Sequence, residues 1–142
     1  MSPEERIVRK MMLENDAFSQ WLGIELISVE KGSVELAMEV REEMTNGFRI
    51  AHGGIAFSLA DSALAFAANS HGIQSVTIET STSFVKPIQI GDQLTAKSRE
   101  IQLSGKFARY MIEIFKQSGE LTAVFYGTVF RTGKPWPDIN KI

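Results

Sequence analysis

A short stretch near the middle of the chain combines residue types that can do chemistry. His52, Gly53 and Gly54 lead directly into an apolar segment that contains one acid, Asp61. Residues 53–69 include no other ionisable side chain, so nothing within the segment neutralises this carboxylate. Because burying an unpaired carboxylate is costly, Asp61 is a candidate general base or nucleophile. A structural acid, satisfied by neighbouring serine hydroxyls or by backbone donors, is the alternative.

The residues before that acid can stabilise negative charge. Gly53 and Gly54 leave the first N–H groups of a helix unobstructed, and these groups favour a developing oxyanion. The same pair also occurs where a loop needs unusual backbone angles. His52 could orient a substrate carbonyl or hydrogen-bond the loop. Asn46 could donate its amide to a carbonyl oxygen, or form the turn that the dipeptide Asn46-Gly47 predicts.

The spacing of these groups limits how they can cooperate. Gly53 and Asp61 are eight residues apart, which is roughly 12 Å along one helix. An oxyanion donor and a nucleophile must each lie about 3 Å from the reacting centre. If both groups are catalytic, the sequence therefore predicts a two-fold dimer with antiparallel helices, in which Gly53 of one chain works with Asp61 of the other.

Composition narrows the class of protein. The 142 residues fit a single domain spanning 1–142, and 44% hydrophobic with 23% charged residues is typical of a soluble globular protein. A net charge of −2 without a basic run argues against nucleic acid as a partner. The absence of cysteine and the presence of only two histidines, nineteen residues apart, argue against a metal site. The charged N-terminus and the lack of a full-length apolar span predict a cytoplasmic protein without a membrane partner.

The hydrophobic pattern predicts an α+β architecture. A capping box at Ser2 opens a helix over residues 3–22, with an interruption near 15–16. A second helix, residues 53–71, is apolar almost all round, so we expect other elements to enclose it. Strands are predicted over residues 25–31, 33–41, 74–85, 93–103, 107–117 and 121–131, and the tail from Thr132 is predicted to be irregular. An antiparallel sheet of about six strands wrapped around the long central helix satisfies this order.

This plan and the pattern N-G-x-x-x-x-H-G-G-x-x-F-S-L-A-D at 46–61 resemble the hotdog-fold acyl-CoA thioesterases. Within that family the chain is most similar to the phenylacetic-acid-degradation (PaaI-type) subgroup. The resemblance covers nearly the whole chain. It implies that the Gly53 N–H polarises the thioester carbonyl, with Asn46 and His52 positioning it. It also implies that Asp61 of the partner chain attacks the carbonyl or activates water.

The resemblance implies further roles. Thr77 lies in a segment similar to the strand that carries a hydroxyl near the catalytic acid, although a polar strand face would explain it equally. The predicted substrate-binding residues are Gly54, Phe57, Lys86, Arg99 and Lys106. The three cations could meet the coenzyme A phosphates or be ordinary surface charges. Coenzyme A would be part of the substrate, so no cofactor is expected, and the assembly would be a tetramer formed as a dimer of dimers.

Two other functions remain open. A hotdog dehydratase or hydratase would pair a histidine such as His52 with an acid for proton transfer, whereas a non-catalytic acyl-CoA-binding or sensing module would keep the pocket without the chemistry. No G-x-S-x-G elbow, Walker loop or dinucleotide fingerprint is present. The retained Asp61 favours hydrolysis, and the resemblance implies phenylacetyl-type or medium-chain acyl-CoA thioesters as the substrates.

Overall fold

The computed structural model describes residues 1–137, and its N-terminal segment is a helix interrupted once. The Ser2 hydroxyl accepts a hydrogen bond from the Glu5 N–H at 3.2 Å, so the predicted helix start is confirmed. The chain leaves helical geometry at Asp16, whose carboxylate accepts a hydrogen bond from the Ser19 N–H at 2.9 Å and caps the next helix. The segments are α1 (Pro3–Arg6), a π-helical continuation (Ile7–Met12), a 3-10 turn (Leu13–Asn15) and α2 (Ala17–Leu22).

Six strands form one antiparallel sheet, as the sequence predicts. They are β1 (Glu25–Glu30), β2 (Ser33–Glu39), β3 (Ile73–Phe84), β4 (Gln93–Ser104), β5 (Phe107–Phe115) and β6 (Leu121–Pro135). Their order across the sheet is β1-β2-β4-β5-β6-β3, which makes β1 and β3 the two edges. Along the β3 edge, Val76, Thr77 and Ile78 are exposed. The β3 edge therefore carries unpaired backbone groups and apolar side chains at the same place.

The prediction of an irregular tail from Thr132 is wrong for its first part. Strand β6 continues to Pro135, which pairs with Ile73 at the start of β3. The next residue is also tied down, since the Trp136 indole N–H donates to the Asn69 side-chain oxygen at 2.9 Å. Long-range pairing with β3 therefore overrides the local turn signals. The remainder of the predicted tail, residues 138–142, lies outside the described residues.

The central helix, α3 (Gly53–Asn69), lies against the sheet and contacts β2, β3, β4, β5 and β6. Its inner side chains, including Leu59, Leu64 and Phe66, share one buried core with Tyr110 and Phe125 from the sheet. This is the predicted hotdog architecture, with a six-stranded antiparallel sheet, a long central helix and an N-terminal helix. None of the helices within residues 1–137 is long and apolar enough to cross a membrane.

One face of α3 is not covered by its own sheet. The partly exposed residues recur at helical spacing, and we call them the open stripe: Gly54, Phe57, Ser58, Asp61, Ser62 and Ala65. The expectation that other elements enclose α3 on all sides is therefore wrong for the part of a single chain that the structure describes. The sheet curls around one side of the helix only, and the open stripe lies on the other.

Candidate active site

The start of α3 leaves one backbone donor free. His52 is the N-cap residue, and its Nδ1 accepts a hydrogen bond from the Gly54 N–H at 2.9 Å. Because Nδ1 is the acceptor, the neutral imidazole carries its proton on Nε2 and can donate from there. Within residues 1–137, the Gly53 N–H donates no hydrogen bond. The amide at the positive end of the helix dipole is therefore available to a ligand.

Packing also favours glycine at both positions. A Cβ at Gly53 would lie 3.2 Å from Cζ of Phe84, the residue that ends β3. A Cβ at Gly54 would lie 3.1 Å from Nδ1 of His52 and would press on the ring that caps the helix. Neither glycine has a positive φ, so the alternative that the pair serves a loop with unusual backbone angles is wrong. The role of oxyanion donor is compatible with the close packing.

Asn46 combines the two roles that its sequence context suggests. Its side-chain oxygen accepts hydrogen bonds from the N–H groups of Phe48 at 2.9 Å and Ile50 at 3.4 Å, which fixes the loop before α3. The backbone closes the same loop, since the Asn46 N–H donates to the Ile50 carbonyl at 2.9 Å. Its side-chain NH₂ donates to no acceptor within the described residues, so it remains available to a ligand.

These donors line one cleft of about 310 Å³, which we call the Gly53 cleft. Its lining residues are Asn46, Ile50, Ala51, His52, Gly53, Ala56, Phe84, Val85, Lys86, Pro87 and Ile88. Four predicted site residues, Asn46, His52, Gly53 and Lys86, therefore meet there. Lys86 is the cation of the cleft, and the remaining walls are mainly apolar. The cleft can hold a chain-like ligand that carries a carbonyl near the helix and a negative charge near the amine.

The predicted acid lies elsewhere on the same helix. Asp61 is half-buried on the open stripe, and the Thr77 hydroxyl donates a hydrogen bond to it from β3. Burial raises the pKa of Asp61; the Thr77 hydrogen bond opposes that effect, and the nearby Asp16 carboxylate adds to it, leaving the pKa above its ordinary value. A carboxylate with a raised pKa is a stronger base. The structure thus brings Asp61 and Thr77 together, but neither lines the Gly53 cleft of its own chain.

The remaining predicted binding residues are dispersed. The Phe57 ring packs edge-on against Phe125 with centroids 5.5 Å apart, and Gly54 borders a second crevice described below. Arg99 lies on β4 with Nη2 3.9 Å from the Met111 sulfur. Lys106 lies in the turn between β4 and β5, and neither of these cations lines the Gly53 cleft.

Sequence reasoning missed two contributors to the site. The sequence predicts Phe84 only as part of a strand, whereas in the structure its ring lies beside Gly53. The sequence predicts Asp16 only as part of a break between helices. Its closeness to Asp61 arises because Ser19 of α2 lies 2.8 Å from Ser62 of α3, oxygen to oxygen. The only sequence signal was the helix break itself, and a break does not specify its long-range partner.

The second histidine lies far from this site. His71 follows α3 at its other end, and its Nε2 lies 2.5 Å from the Glu100 carboxylate. Within residues 1–137, no three histidine, aspartate or glutamate side chains are grouped so that they could hold a metal ion.

Comparison with known proteins identifies the family of the chain. The family model for the thioesterase superfamily matches residues 48–123. Acyl-coenzyme A thioesterase PaaI from Escherichia coli is 39% identical over 122 residues, covering 86% of this chain and 87% of that protein. A putative esterase from Archaeoglobus fulgidus is 35% identical over 130 residues, covering 92% of this chain and 84% of the relative.

Solved structures give the same result. The structure of E. coli PaaI from the phenylacetic acid degradation operon has a TM-score of 0.89 and 36% identity, covering 93% of this chain and 96% of its own. A Streptococcus mutans protein solved bound to acetyl CoA has a TM-score of 0.77 and 28% identity, covering 80% and 91%. The chain belongs to the thioesterase superfamily. It is a thioester hydrolase of the hotdog fold, and the predicted resemblance to the PaaI-type subgroup is confirmed.

Proposed function

We propose that the protein hydrolyses acyl-CoA thioesters to a free acid and coenzyme A, at sites that two subunits build together. The observation that carries the proposal is the free Gly53 N–H, which lies at the start of α3 in a cleft with a cation. The E. coli relative is named an acyl-coenzyme A thioesterase, and the S. mutans neighbour binds acetyl CoA. Both names support acyl-CoA as the substrate class.

The Gly53 cleft would bind and polarise the thioester. Its carbonyl oxygen accepts a hydrogen bond from the Gly53 N–H, and negative charge grows on that oxygen as the tetrahedral intermediate forms. The helix dipole then stabilises the charge where it develops, which lowers the barrier. The Asn46 amide and the His52 Nε2–H are the two further donors that can orient the thioester within the cleft.

Asp61 of the partner subunit would supply the base or the nucleophile. As a base it takes a proton from water, the water oxygen bonds to the carbonyl carbon, the C–S bond breaks, and the proton passes to the coenzyme A thiolate. As a nucleophile it forms a mixed anhydride, coenzyme A leaves, and water hydrolyses the anhydride. The Thr77 hydroxyl, which donates to Asp61, can accept a hydrogen bond from the attacking water and so position it.

A single turnover in ¹⁸O-labelled water identifies the nucleophile route if water attacks the Asp61 carbonyl of the anhydride, whereas attack at the acyl carbon labels the acid as the base route does. The base route puts the label only into the acid product. The nucleophile route begins with an unlabelled Asp61 oxygen bonded to the acyl carbon, and water attack on that anhydride can leave ¹⁸O in the Asp61 side chain. Mass spectrometry of the Asp61 peptide and of the product reads the result.

Two surfaces of the chain support a dimer. The open stripe carries Asp61 at the centre of an uncovered helix face, and the β3 edge offers unpaired backbone groups and exposed apolar residues. Pairing of two β3 edges about a two-fold axis would bring two α3 helices side by side and antiparallel. Asp61 would then face Gly53 of the other chain, across the distance that one chain cannot span. We propose a dimer of dimers as the full assembly.

The same dimer suggests which cations bind coenzyme A, and the relatives suggest which acyl groups are hydrolysed. Lys86, in the Gly53 cleft, is the cation that can meet a coenzyme A phosphate within the same chain. Arg99 and Lys106 can do so only from another subunit, because neither lines that cleft. We propose arylacetyl groups such as phenylacetyl, or medium-chain acyl groups, since the E. coli neighbour comes from a phenylacetic acid degradation operon.

A panel of acyl-CoA thioesters tests the activity. Purified protein is incubated with acetyl-, medium-chain and phenylacetyl-CoA, and free thiol is measured with a chromogenic disulfide. We expect thiol release that depends on enzyme concentration, with clear differences between acyl groups. Tight binding without thiol release would refute hydrolysis and indicate an acyl-CoA sensing module instead.

Mixed dimers test the shared site. Asp61→Asn and Asn46→Ala are each expected to lower activity strongly, yet coexpressed chains should recover part of it. In an equal mixture about half of the dimers are mixed, and one of the two sites in each mixed dimer has both wild-type residues, so about a quarter of wild-type activity should return. A site built within one chain predicts no recovery. Recovery that is absent at every mixing ratio would therefore refute the proposed dimer.

A further inference from the structure

A second crevice borders the Gly53 cleft at His52. It has a volume of about 330 Å³, and we call it the Phe18 crevice. Its lining residues are Phe18, Glu43, Met44, Thr45, His52, Gly54, Ile55 and Ser58. It begins at Gly54, the residue after the free Gly53 N–H, and runs between α2 and the open stripe of α3. The two crevices therefore adjoin at His52, the residue before the free amide of Gly53.

The aromatic wall of this crevice is held in place although it is exposed. The Phe18 side chain is 54% exposed and stacks on Trp21, with ring centroids 6.0 Å apart and an interplanar angle of 8°. The guanidinium of Arg41 lies over Trp21, with Cζ 5.0 Å from the centroid of its ring. Ser19, the residue after Phe18, is buried and lies 2.8 Å from the Ser62 hydroxyl oxygen of α3. An aromatic face is thus fixed beside the site with no covering element in residues 1–137.

Charge assigns the two crevices to the two arms of a thioester. A thioester held at its carbonyl extends in two directions, as the acyl group and as the coenzyme A chain with its phosphates. The Gly53 cleft contains Lys86, whereas the acid that lines the Phe18 crevice, Glu43, is paired with Arg41 at 2.6 Å, Nε to Oε1. The anionic coenzyme A arm is attracted to the cation of the Gly53 cleft, and the Phe18 crevice offers it no unpaired cation. The acyl arm therefore belongs in the Phe18 crevice, against Phe18, Met44 and Ile55.

We propose that Phe18 of the N-terminal helix is a specificity-determining residue, whose ring contacts the acyl group and selects apolar and aromatic acyl chains over acetyl. This inference rests on the proposed hydrolysis of acyl-CoA thioesters. It adds a role for α2, a segment that none of the predicted catalytic residues occupies. An aromatic acyl group would stack on or against the exposed ring, whereas an acetyl group is too short to reach it.

The test compares two substrates that share the coenzyme A arm. For wild type and Phe18→Ala, kcat/KM is measured with phenylacetyl-CoA and with acetyl-CoA. We expect the Phe18→Ala variant to lose about tenfold with phenylacetyl-CoA, the value of one good aromatic contact, and to stay within about twofold with acetyl-CoA. Phe18→Leu keeps an apolar side chain, so its kcat/KM with phenylacetyl-CoA should lie between those of wild type and Phe18→Ala.

Phe107→Ala is the matched control, because Phe107 is also an exposed ring paired with another aromatic, Phe130, with centroids 5.9 Å apart. It lines neither crevice, so its ratio of the two kcat/KM values should equal that of wild type. If Phe18→Ala leaves the ratio of the two kcat/KM values unchanged, the assignment of the acyl group to Phe18 is overturned, while hydrolysis remains intact. Wild-type protein that releases no thiol from any substrate would instead refute the proposed function.

Discussion

Replacing Asp61 by asparagine separates the role of this acid in catalysis from its effect on stability. Asparagine has nearly the same shape, and its carbonyl oxygen can still accept the hydrogen bond from Thr77. It cannot take a proton from water or form an anhydride, so both proposed routes are blocked. A positioned general base contributes about 10²- to 10⁴-fold, which corresponds to about 3–5 kcal/mol of barrier. We expect a loss of thioester hydrolysis in that range.

The same substitution should not destabilise the fold. Burial raises the pKa of Asp61, the Thr77 hydrogen bond partly offsets this, and the Asp16 charge adds to it, so the folded state disfavours the ionised carboxylate. Removing the charge relieves both unfavourable effects. Because Asp61 is only half-buried, solvent screens much of the gain, and we expect an increase in unfolding free energy of at most about 1 kcal/mol. For a chain of this size that is an increase in Tm of at most about 4 °C.

The pH dependence of that stability difference has a defined sign. A carboxyl group whose pKa is raised on folding favours the folded state while it is protonated, and this advantage is lost as the pH rises through its folded pKa. The unfolding free energies of wild type and Asp61→Asn should therefore be most similar at acidic pH. Toward neutral pH the variant should become more stable than wild type. Thermal unfolding followed by circular dichroism, recorded at several pH values, measures the difference.

Ser98→Ala is the matched control, because it should lower stability without lowering activity. The Ser98 hydroxyl oxygen accepts a hydrogen bond from the Val34 N–H at 2.8 Å, in the sheet and outside both crevices. Its loss leaves a backbone donor unpaired and should cost about 1–3 kcal/mol of stability while hydrolysis persists. Asp61→Asn that keeps near-wild-type activity would refute a catalytic Asp61. An Asp61→Asn protein that unfolds would instead indicate a structural acid.

Two further substitutions address the residues around this acid. Gly54→Ala places a Cβ 3.1 Å from Nδ1 of the capping residue His52, so the imidazole must shift by a few tenths of an ångström. We expect kcat to fall about tenfold and Tm to decrease. Steady-state kinetics and thermal unfolding measure these changes. Asp16→Asn keeps a helix-capping side chain but removes a negative charge near Asp61, so the pKa of Asp61 falls and the acid limb of the kcat/KM profile moves to lower pH. An unmoved acid limb would exclude that electrostatic effect.

The sequence by itself determined the elements of the fold. Strand-like segments bounded by turn residues predicted all six strands, and the run of apolar residues after Gly53 predicted α3, because hydrophobic patterns and turn residues are local properties of the chain. The extent of β6 could not be predicted in the same way. Its last residues are ordered by pairing with β3, a partner about sixty positions earlier in the chain, and that pairing leaves no local signature.

The sequence also identified the chemical groups of the site and a constraint on them. Residue types and helix rise alone indicated that Gly53 and Asp61 cannot act on one substrate within a chain. What only the tertiary structure decided is which groups lie free and which are engaged. The Gly54 N–H is taken by His52 while the Gly53 N–H is not, and the Asn46 side chain uses its oxygen for the loop and leaves its NH₂ free.

The tertiary structure alone also decided what surrounds these groups. Asp16 and Phe18 reach the site because α2 docks on α3 through Ser19 and Ser62, and their distance along the chain from Asp61 gives no hint of this contact. The sequence could predict α3 as a buried apolar helix, but not that its own sheet leaves one stripe open. Side-chain types and local periods are properties of the chain, whereas exposure and the pairing of distant groups depend on how the elements pack together.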